Sequence, residues 1–126
     1  MTPTDGGHSV RRAVLSHCLL LLLWESPQHG YELIERLKPF GFDWGDRGFS
    51  GVYHELKKLE ERQLVRAALE VSQSGPARRV YQLTPVGAAS IEDWAPRMEE
   101  LQSTIAEWLA RYRRGSDRNS AGLDSS

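Results

Sequence analysis

Residues 52–84 read VYHELKKLEERQLVRAALEVSQSGPARRVYQLT, and this stretch decides the fold. In its first part, Val52, Leu56 and Leu59 recur at the spacing that forms the apolar face of an amphipathic helix. In its second part, two short runs of alternating residues flank the segment SQSGP (72–76), which is a strong turn signal. The stretch therefore predicts a helix followed by a two-stranded β-hairpin.

Two further helices are predicted before this stretch. Residues 10–24 are so rich in leucine that their helix should lie at the centre of the domain or at a subunit contact. The pair Ser26-Pro27 is typical of a helix cap followed by a first-turn proline, and it predicts a second helix over about 27–38. The predicted inner face of this second helix holds Tyr31, Ile34 and Leu37.

One long helix is predicted after the hairpin. The pair Thr84-Pro85 repeats the cap-then-proline signature, and Pro96 should kink the helix or split it near Asp93. The apolar residues of this helix alternate between spacings of three and four, which is an a/d heptad stripe. Such a stripe cannot bury itself in so small a domain, and a second copy of the chain is the simplest partner. The predicted homodimer seam is Ile91, Trp94, Met98, Leu101, Ile105, Trp108 and Tyr112.

The order of these elements predicts a mostly α fold with a small β-hairpin: a winged helix-turn-helix plus a C-terminal dimerisation helix. We expect the DNA-binding domain over residues 9–83 and the dimerisation helix over 84–114. Residues 1–8 and 115–126 are polar and rich in Gly and Ser, so both are expected to be disordered tails.

Composition narrows the function. The net charge of −1 says little about a nucleic-acid partner, but residues 11–83 carry eleven Lys/Arg against nine Asp/Glu, whereas 84–126 carry five against seven. The front part is therefore the better candidate for meeting a polyanion. The sequence holds no Gly-rich phosphate loop, nucleophile elbow or histidines at metal-ligand spacing, and its single Cys18 lies in an apolar run. We therefore predict no enzyme activity, no cofactor and no metal.

The N-terminal segment superficially resembles a signal peptide, because Arg11-Arg12 precede an apolar run. That run is interrupted by Ser16-His17, is too short to span a bilayer and has no small-residue cleavage site. A buried first helix explains the segment better. We therefore expect a cytoplasmic protein without a membrane partner.

Three motifs together resemble the PadR family of transcriptional regulators. They are HGYELI (29–34) at the second helix, VYxxLKKLE (52–60) at the third helix, and GPxRRxYxLTxxG (75–87) at the hairpin and the last helix. Each motif is weak alone, but their order and spacing are specific to that family. The resemblance implies a homodimeric, ligand-responsive repressor that acts on a pseudo-palindromic double-stranded DNA operator.

The winged-helix layout indicates which side chains should meet DNA. The third helix presents its polar side to the major groove, and the hairpin tip reaches the neighbouring backbone. Lys57 and Lys58 are expected to contact phosphates, although a solvated helix face is the plainer alternative. Arg78 and Arg79 are stronger candidates, and strand alternation suggests that one faces the core side and the other the DNA. The complete predicted DNA-binding set is Ser50, Tyr53, His54, Lys57, Lys58, Arg78 and Arg79.

The three uncharged members of that set have less certain roles. Ser50 and His54 are candidates for base-edge or backbone readout. Tyr53 either packs at the flank of the third helix or gives its hydroxyl to a phosphate, and the two roles are compatible.

Two open questions concern the long helix and the partner. Trp94 and Met98 are candidate contacts of a small-molecule effector, because flat ligands stack on aromatics at dimer interfaces. The plainer alternative is that Trp94 and Trp108 only pack the dimer seam. The rival function is a winged-helix dimeric protein–protein interaction module without direct DNA binding. Nearly neutral charge permits that rival, whereas the four predicted phosphate contacts count against it.

Overall fold

The fold is described from a computed structural model that covers the backbone of residues 3–42, 48–71 and 75–124. The helices and strands, in chain order, are α1 (Pro3–Glu25), β1 (Gln28–His29), α2 (Gly30–Arg36), a 3-10 helix (Lys38–Phe40), α3 (Gly48–Glu61), β2 (Val65–Glu70), β3 (Arg78–Leu83) and α4 (Pro85–Asp124). The predicted fold class, mostly α with a small antiparallel sheet, is confirmed.

The chain forms two compact units, residues 1–91 and residues 92–126. The first unit holds every element up to β3 together with the first turns of α4, and the second holds the rest of α4. The sequence predicts a boundary after residue 83. The compact division lies later because Ile91 packs against the core of the first unit.

A single apolar core joins α1 to α3 within the first unit. Four of the five consecutive leucines of α1 are buried, and Leu21 alone of the five is exposed. This confirms that α1 lies at the centre of the domain. The predicted inner stripe of α3 is also confirmed, since Val52, Leu56 and Leu59 are at most 1% exposed. Each such burial contributes about 1.5–3 kcal/mol to folding.

The predicted hairpin is present, and a third strand that the sequence did not reveal adds to it. Strands β2 and β3 pair antiparallel, and β1 pairs with the other edge of β3, giving the order β1-β3-β2. Gln28 lies opposite Tyr81, and His29 lies opposite Val80. The buried Gln28 amide donates a hydrogen bond to the Leu22 carbonyl at 2.7 Å, so β1 also closes the end of α1.

The second helix begins later than the sequence predicts. Ser26-Pro27 does not start it, because the next two residues pair with β3 and the helix begins only at Gly30. The predicted inner face is therefore wrong in one member. Tyr31 is exposed, and Leu33 is buried in its place beside Ile34.

The long helix is not split at its proline. Pro96 lies inside α4, which runs without interruption from Pro85 to Asp124. The helix also continues through 115–124, where the sequence predicts a disordered tail. Arg111 donates to Glu107 at 2.8 Å, and such pairs four residues apart support the preceding turns. At the other end, α1 begins at Pro3, inside the other predicted tail.

Neither of these long helices resembles a membrane span. Across the described residues, no helix is both long enough and apolar enough to cross a bilayer.

A cluster of hydrogen bonds, called the joint below, connects the end of α3 and the start of β2 to the start of α4. The Thr84 hydroxyl donates to the Gln63 carbonyl at 2.7 Å, and the Gly87 N–H donates to the Thr84 hydroxyl oxygen at 3.0 Å. The Leu64 carbonyl accepts a hydrogen bond from the Thr84 N–H at 3.1 Å. Gly87 lies so close to that carbonyl that a methyl group added to it would overlap the oxygen.

We predict that Gly87→Ala destabilises the protein by about 1–3 kcal/mol, because the Leu64 backbone cannot move away without breaking the joint. Gly51→Ala is the matched control, since no atom lies within 4 Å of its added methyl group. On α3 that change should stabilise by up to about 1 kcal/mol. Urea unfolding measures both, and equal stability changes in the two variants would contradict the proposed close approach.

Candidate nucleic-acid interface

The burial of the apolar stripe of α3 determines which of its residues are exposed. Because Val52, Leu56 and Leu59 face the core, the residues between them point away from it. The predicted contacts Tyr53, His54, Lys57 and Lys58 are all exposed. Ser50 lies in the first turn of α3, and its side chain is outside the described residues.

Tyr53 holds the start of α2 against α3. Its ring lies directly over Gly30, where any added Cβ would overlap the ring and its hydroxyl. This contact explains why glycine stands between His29 and Tyr31 in the HGYELI segment. Tyr53 is still 41% exposed, so both roles predicted for it, packing and presentation of a hydroxyl, are compatible with its position.

Arg79 connects β3 to α3. Its Nη2 atom lies 3.3 Å from each carboxylate oxygen of Glu60, and its guanidinium lies over the Tyr81 ring at 5.9 Å from the centroid. Arg79 therefore shares the face of β3 that carries the buried Tyr81, as strand alternation requires. Its side chain nevertheless remains 56% exposed, so this arginine reaches past the core to the surface.

Arg78 occupies the opposite face of β3, where it lies across from Glu70 of β2. Its side chain is exposed, and no ion pair joins it to another residue in the described part of the chain. The two adjacent arginines thus differ in environment, since Arg79 has a carboxylate partner and Arg78 has none among the described residues. As strand alternation predicts, the two arginines lie on opposite faces of β3, and Arg79 is the one on the side of the buried Tyr81.

Two clefts bring the elements of this surface together. The first is lined by side chains of α3 and β3, namely Tyr53, Lys57, Glu60, Glu61, Arg79 and Tyr81. The second lies between the start of α2 and β3, and it is lined by His29, Gly30, Tyr31, Glu32, Tyr53, Ala77, Arg78 and Arg79. Of the predicted contacts, Tyr53, Lys57, Arg78 and Arg79 meet here, whereas His54 and Lys58 are exposed elsewhere on α3.

Burial and the charged groups of the first cleft shift the pKa of Tyr81. Burial raises the pKa of this tyrosine above its ordinary value, and the nearby Glu60 raises it further. Arg79 acts in the opposite direction, because its positive charge favours the phenolate and lowers the pKa of Tyr81. Tyr81 therefore stays neutral at physiological pH and offers an aromatic face to Arg79.

Sequence reasoning missed two residues of this surface, Glu60 and Tyr81. Tyr81 was accessible from the sequence, because it lies two residues after Arg79 and must share its side of the strand. Glu60 was not, because it and Arg79 are far apart in the chain and only the packed fold joins them.

The predicted dimer seam on α4 is largely uncovered within one chain. Met98, Leu101, Ile105, Trp108 and Tyr112 are 39–64% exposed, and the last two stack at 5.6 Å between ring centroids. Trp94 is half-buried. Ile91 differs from the rest of the stripe, because it packs on the core of the first unit. Among the described residues, no cluster of His, Cys, Asp or Glu could hold a metal ion.

Comparison with known sequences gives consistent matches. The sequence model of the Transcriptional regulator PadR-like family matches residues 19–93. A probable transcriptional regulator of Mycobacterium tuberculosis is 32% identical over 113 residues, which cover 89% of this chain and 53% of that protein. The negative transcriptional regulator PadR of Bacillus subtilis is 26% identical over 95 residues, covering 75% of this chain and 52% of that protein. The chain thus spans about half the length of these relatives.

Solved structures share the same fold. A PadR-like transcriptional regulator of Bacillus cereus superposes with a TM-score of 0.71 at 25% identity, covering 80% of this chain and 96% of that one. The Bacillus subtilis PadR crystallised in complex with operator DNA superposes with a TM-score of 0.56 at 26% identity. That match covers 64% of this chain and 46% of the other.

Proposed function

Because the chain belongs to the PadR-like family of transcriptional regulators, we propose that it is a ligand-responsive repressor that binds a pseudo-palindromic DNA operator as a homodimer. The family and the matched relatives are regulators and not enzymes, as the sequence predicts. A role on DNA also agrees with the cytoplasm, the compartment in which we expect the protein to act.

The observation that carries the DNA-binding proposal is the exposed set of basic side chains that α3 and β3 bring together. Lys57, Arg78 and Arg79 meet there with Tyr53 around two adjoining clefts. Cations beside exposed hydroxyl groups are the usual phosphate contacts of DNA-binding proteins. The Bacillus subtilis relative with the same fold was crystallised on operator DNA, which supports the same partner here.

Repression is the proposed outcome of that binding. The Bacillus subtilis relative is described as a negative transcriptional regulator, and a dimer seated on an operator blocks access to it. Within the proposed complex, Ser50 and His54 lie where a helix in the major groove meets base edges, and Lys57 and Lys58 lie beside the backbone. Sequence preference would then come from α3, and affinity from α3 and the wing together.

The homodimer rests on the uncovered stripe of α4. Five large apolar side chains from Met98 to Tyr112 are exposed on one helix face, and single soluble chains rarely leave such a face in water. A two-fold dimer also matches a pseudo-palindromic operator, since each copy reads one half-site. Ile91, the first residue of the predicted seam, is partly buried against the core of its own chain and would extend the seam from there.

The proposed effector site is also on α4, at Trp94 and Met98. Trp94 is half-buried and Met98 is partly exposed, so a flat apolar molecule could contact both near the seam. A ligand there would change the distance between the DNA-binding domains of the two chains in the dimer without touching DNA. Half-sites one helical turn apart, about 34–36 Å, tolerate little change in that spacing.

The wing arginines give the first test of this function. If they neutralise phosphates, Arg78→Ala/Arg79→Ala should weaken binding to all DNA sequences about equally. The slope of log K against log salt should become shallower by about 0.9 for each phosphate that is no longer neutralised. The matched control is Arg113→Ala/Arg114→Ala, which removes the same charge from α4. An unchanged salt slope with altered sequence preference in the wing variant would show that these arginines read bases instead of neutralising phosphates.

The dimer is tested by charge in the seam. In Leu101→Asp/Ile105→Asp, carboxylates would have to be buried against the partner, and removing each apolar side chain from the seam costs about 2–5 kcal/mol. Sedimentation should therefore show a monomer, with the first unit still folded by circular dichroism. The control Gln102→Asp/Ser103→Asp adds the same charge beside the stripe and should remain dimeric. A folded dimer in the seam variant would rule out this helix face as the interface.

The effector site is tested by Trp94→Ala. This variant should keep the operator preference of the parent chain but respond less to an inducer, since stacking on the indole contributes to ligand binding. Operator titrations with and without inducer measure the response. Trp108→Ala serves as the control for removal of an aromatic residue from the same stripe. An undiminished response in the Trp94 variant would leave Trp94 as a packing residue only.

A further inference from the structure

Glu60 is an acidic residue in the middle of the proposed phosphate-binding surface. It lies one turn after Lys57 on α3 and lines the same cleft as Lys57 and Arg79. Both of its carboxylate oxygens are 3.3 Å from one nitrogen of Arg79, and its side chain is 38% exposed. A carboxylate at such a place repels DNA, so its presence calls for a physical reason.

The geometry of the pair shows what Glu60 leaves available. The guanidinium of an arginine carries five N–H donors, and Glu60 engages only those on Nη2 of Arg79. The Cζ atom of the same group lies over the Tyr81 ring, 5.9 Å from its centroid. Within the described part of the chain, no other hydrogen bond engages the donors on Nε and Nη1. Among the described residues, hydrogen bonds thus engage the Nη2 side of the guanidinium and leave its Nε and Nη1 donors available to an anion.

We propose that Glu60 is a positioning residue for DNA binding. It ties Arg79 of the wing to α3, so that the Nε and Nη1 donors of the guanidinium are held ready for a DNA phosphate. Holding the side chain in advance removes part of the entropy that Arg79 would lose on binding. The inference rests on the proposed DNA-binding function, because the anion that Arg79 awaits is a phosphate of the operator.

Positioning and simple repulsion predict opposite signs for the removal of this charge. Removing a negative charge from a DNA-binding surface normally strengthens binding, because phosphates are no longer repelled. If Glu60 positions Arg79, its removal weakens binding instead, although the protein becomes more positive. The sign of the change therefore distinguishes the two effects without a need for exact magnitudes.

The chain supplies a matched control at the next residue. Glu61 lines the same cleft and carries the same charge, but it makes no ion pair with another described residue. We expect Glu60→Ala to weaken binding to a fixed DNA duplex about tenfold and to flatten the salt dependence by about 0.9 in each half-site. Glu61→Ala should bind as tightly as the parent or more tightly. Glu60→Gln, which keeps an acceptor oxygen, should fall between them.

A second pair of variants separates positioning from a general disturbance of α3. In an Arg79→Ala background, Glu60→Ala should cause no further decrease in affinity, because the side chain that it positions is already absent. In the DNA-free protein, the NMR signal of the Arg79 Nε–H group should show an ordered side chain in the parent and in Glu61→Ala. In Glu60→Ala the same group should be mobile.

Three outcomes would overturn this inference. Glu60→Ala and Glu61→Ala could strengthen DNA binding equally, or Glu60→Ala could lower the affinity as much in the Arg79→Ala background as in the parent. The third is an Arg79 side chain that stays ordered in Glu60→Ala. Failure of the function itself looks different, because the parent chain would then not bind duplex DNA at all. The NMR comparison needs no DNA and therefore tests the positioning even in that case.

Discussion

Burial of Val52, Leu56 and Leu59 in one core with the leucines of α1 fixes the direction in which α3 presents its polar side. These residues are all but inaccessible to water, and together they contribute several kcal/mol at about 1.5–3 kcal/mol each. Rotating α3 by one residue would expose all of them at once. The exposed polar face of α3 is thus a consequence of the core, because charged side chains that cannot enter the core must occupy the opposite face.

The remaining interactions join other elements to this helix. Tyr53 lies over Gly30 at the start of α2, while the Glu60–Arg79 pair connects α3 to β3. The candidate interface is therefore composite, with residues from α2, α3 and the wing. The positions of its side chains relative to one another depend on contacts between these elements. A change in one contact would therefore move several basic side chains. This is the physical basis for assigning Glu60 a role beyond its charge.

Much of this arrangement was predictable from local patterns. The period of the apolar residues predicted α3 and its stripe, and the turn signal between alternating runs predicted the hairpin. Strand β1 was not predictable, because two residues carry no detectable period, and only pairing with Val80 and Tyr81 makes Gln28 and His29 a strand. The start of α2 shifted for the same reason. The Glu60–Arg79 pair depends on tertiary packing between distant segments, which no local pattern encodes.

The long helix α4 shows where prediction from composition fails. A composition rich in Gly and Ser suggested a tail after residue 114, yet α4 continues to Asp124. Composition reports what a segment favours in isolation, whereas a helix already begun propagates at low cost per residue. The heptad stripe itself was visible in the sequence. Its first member, Ile91, stays a predicted seam residue, and within one chain it is partly buried against the core of the first unit.

We expect the surface that carries Lys57, Arg78 and Arg79 to recognise a specific DNA operator as part of a dimer. The most direct measurement is a titration of the parent chain against the DNA upstream of its own gene and against a scrambled duplex of equal length and composition. We expect saturation at two chains per upstream duplex, with a clear preference over the scrambled duplex and an affinity that falls as salt rises. Equal affinity for both duplexes, or no binding at low salt, would contradict it.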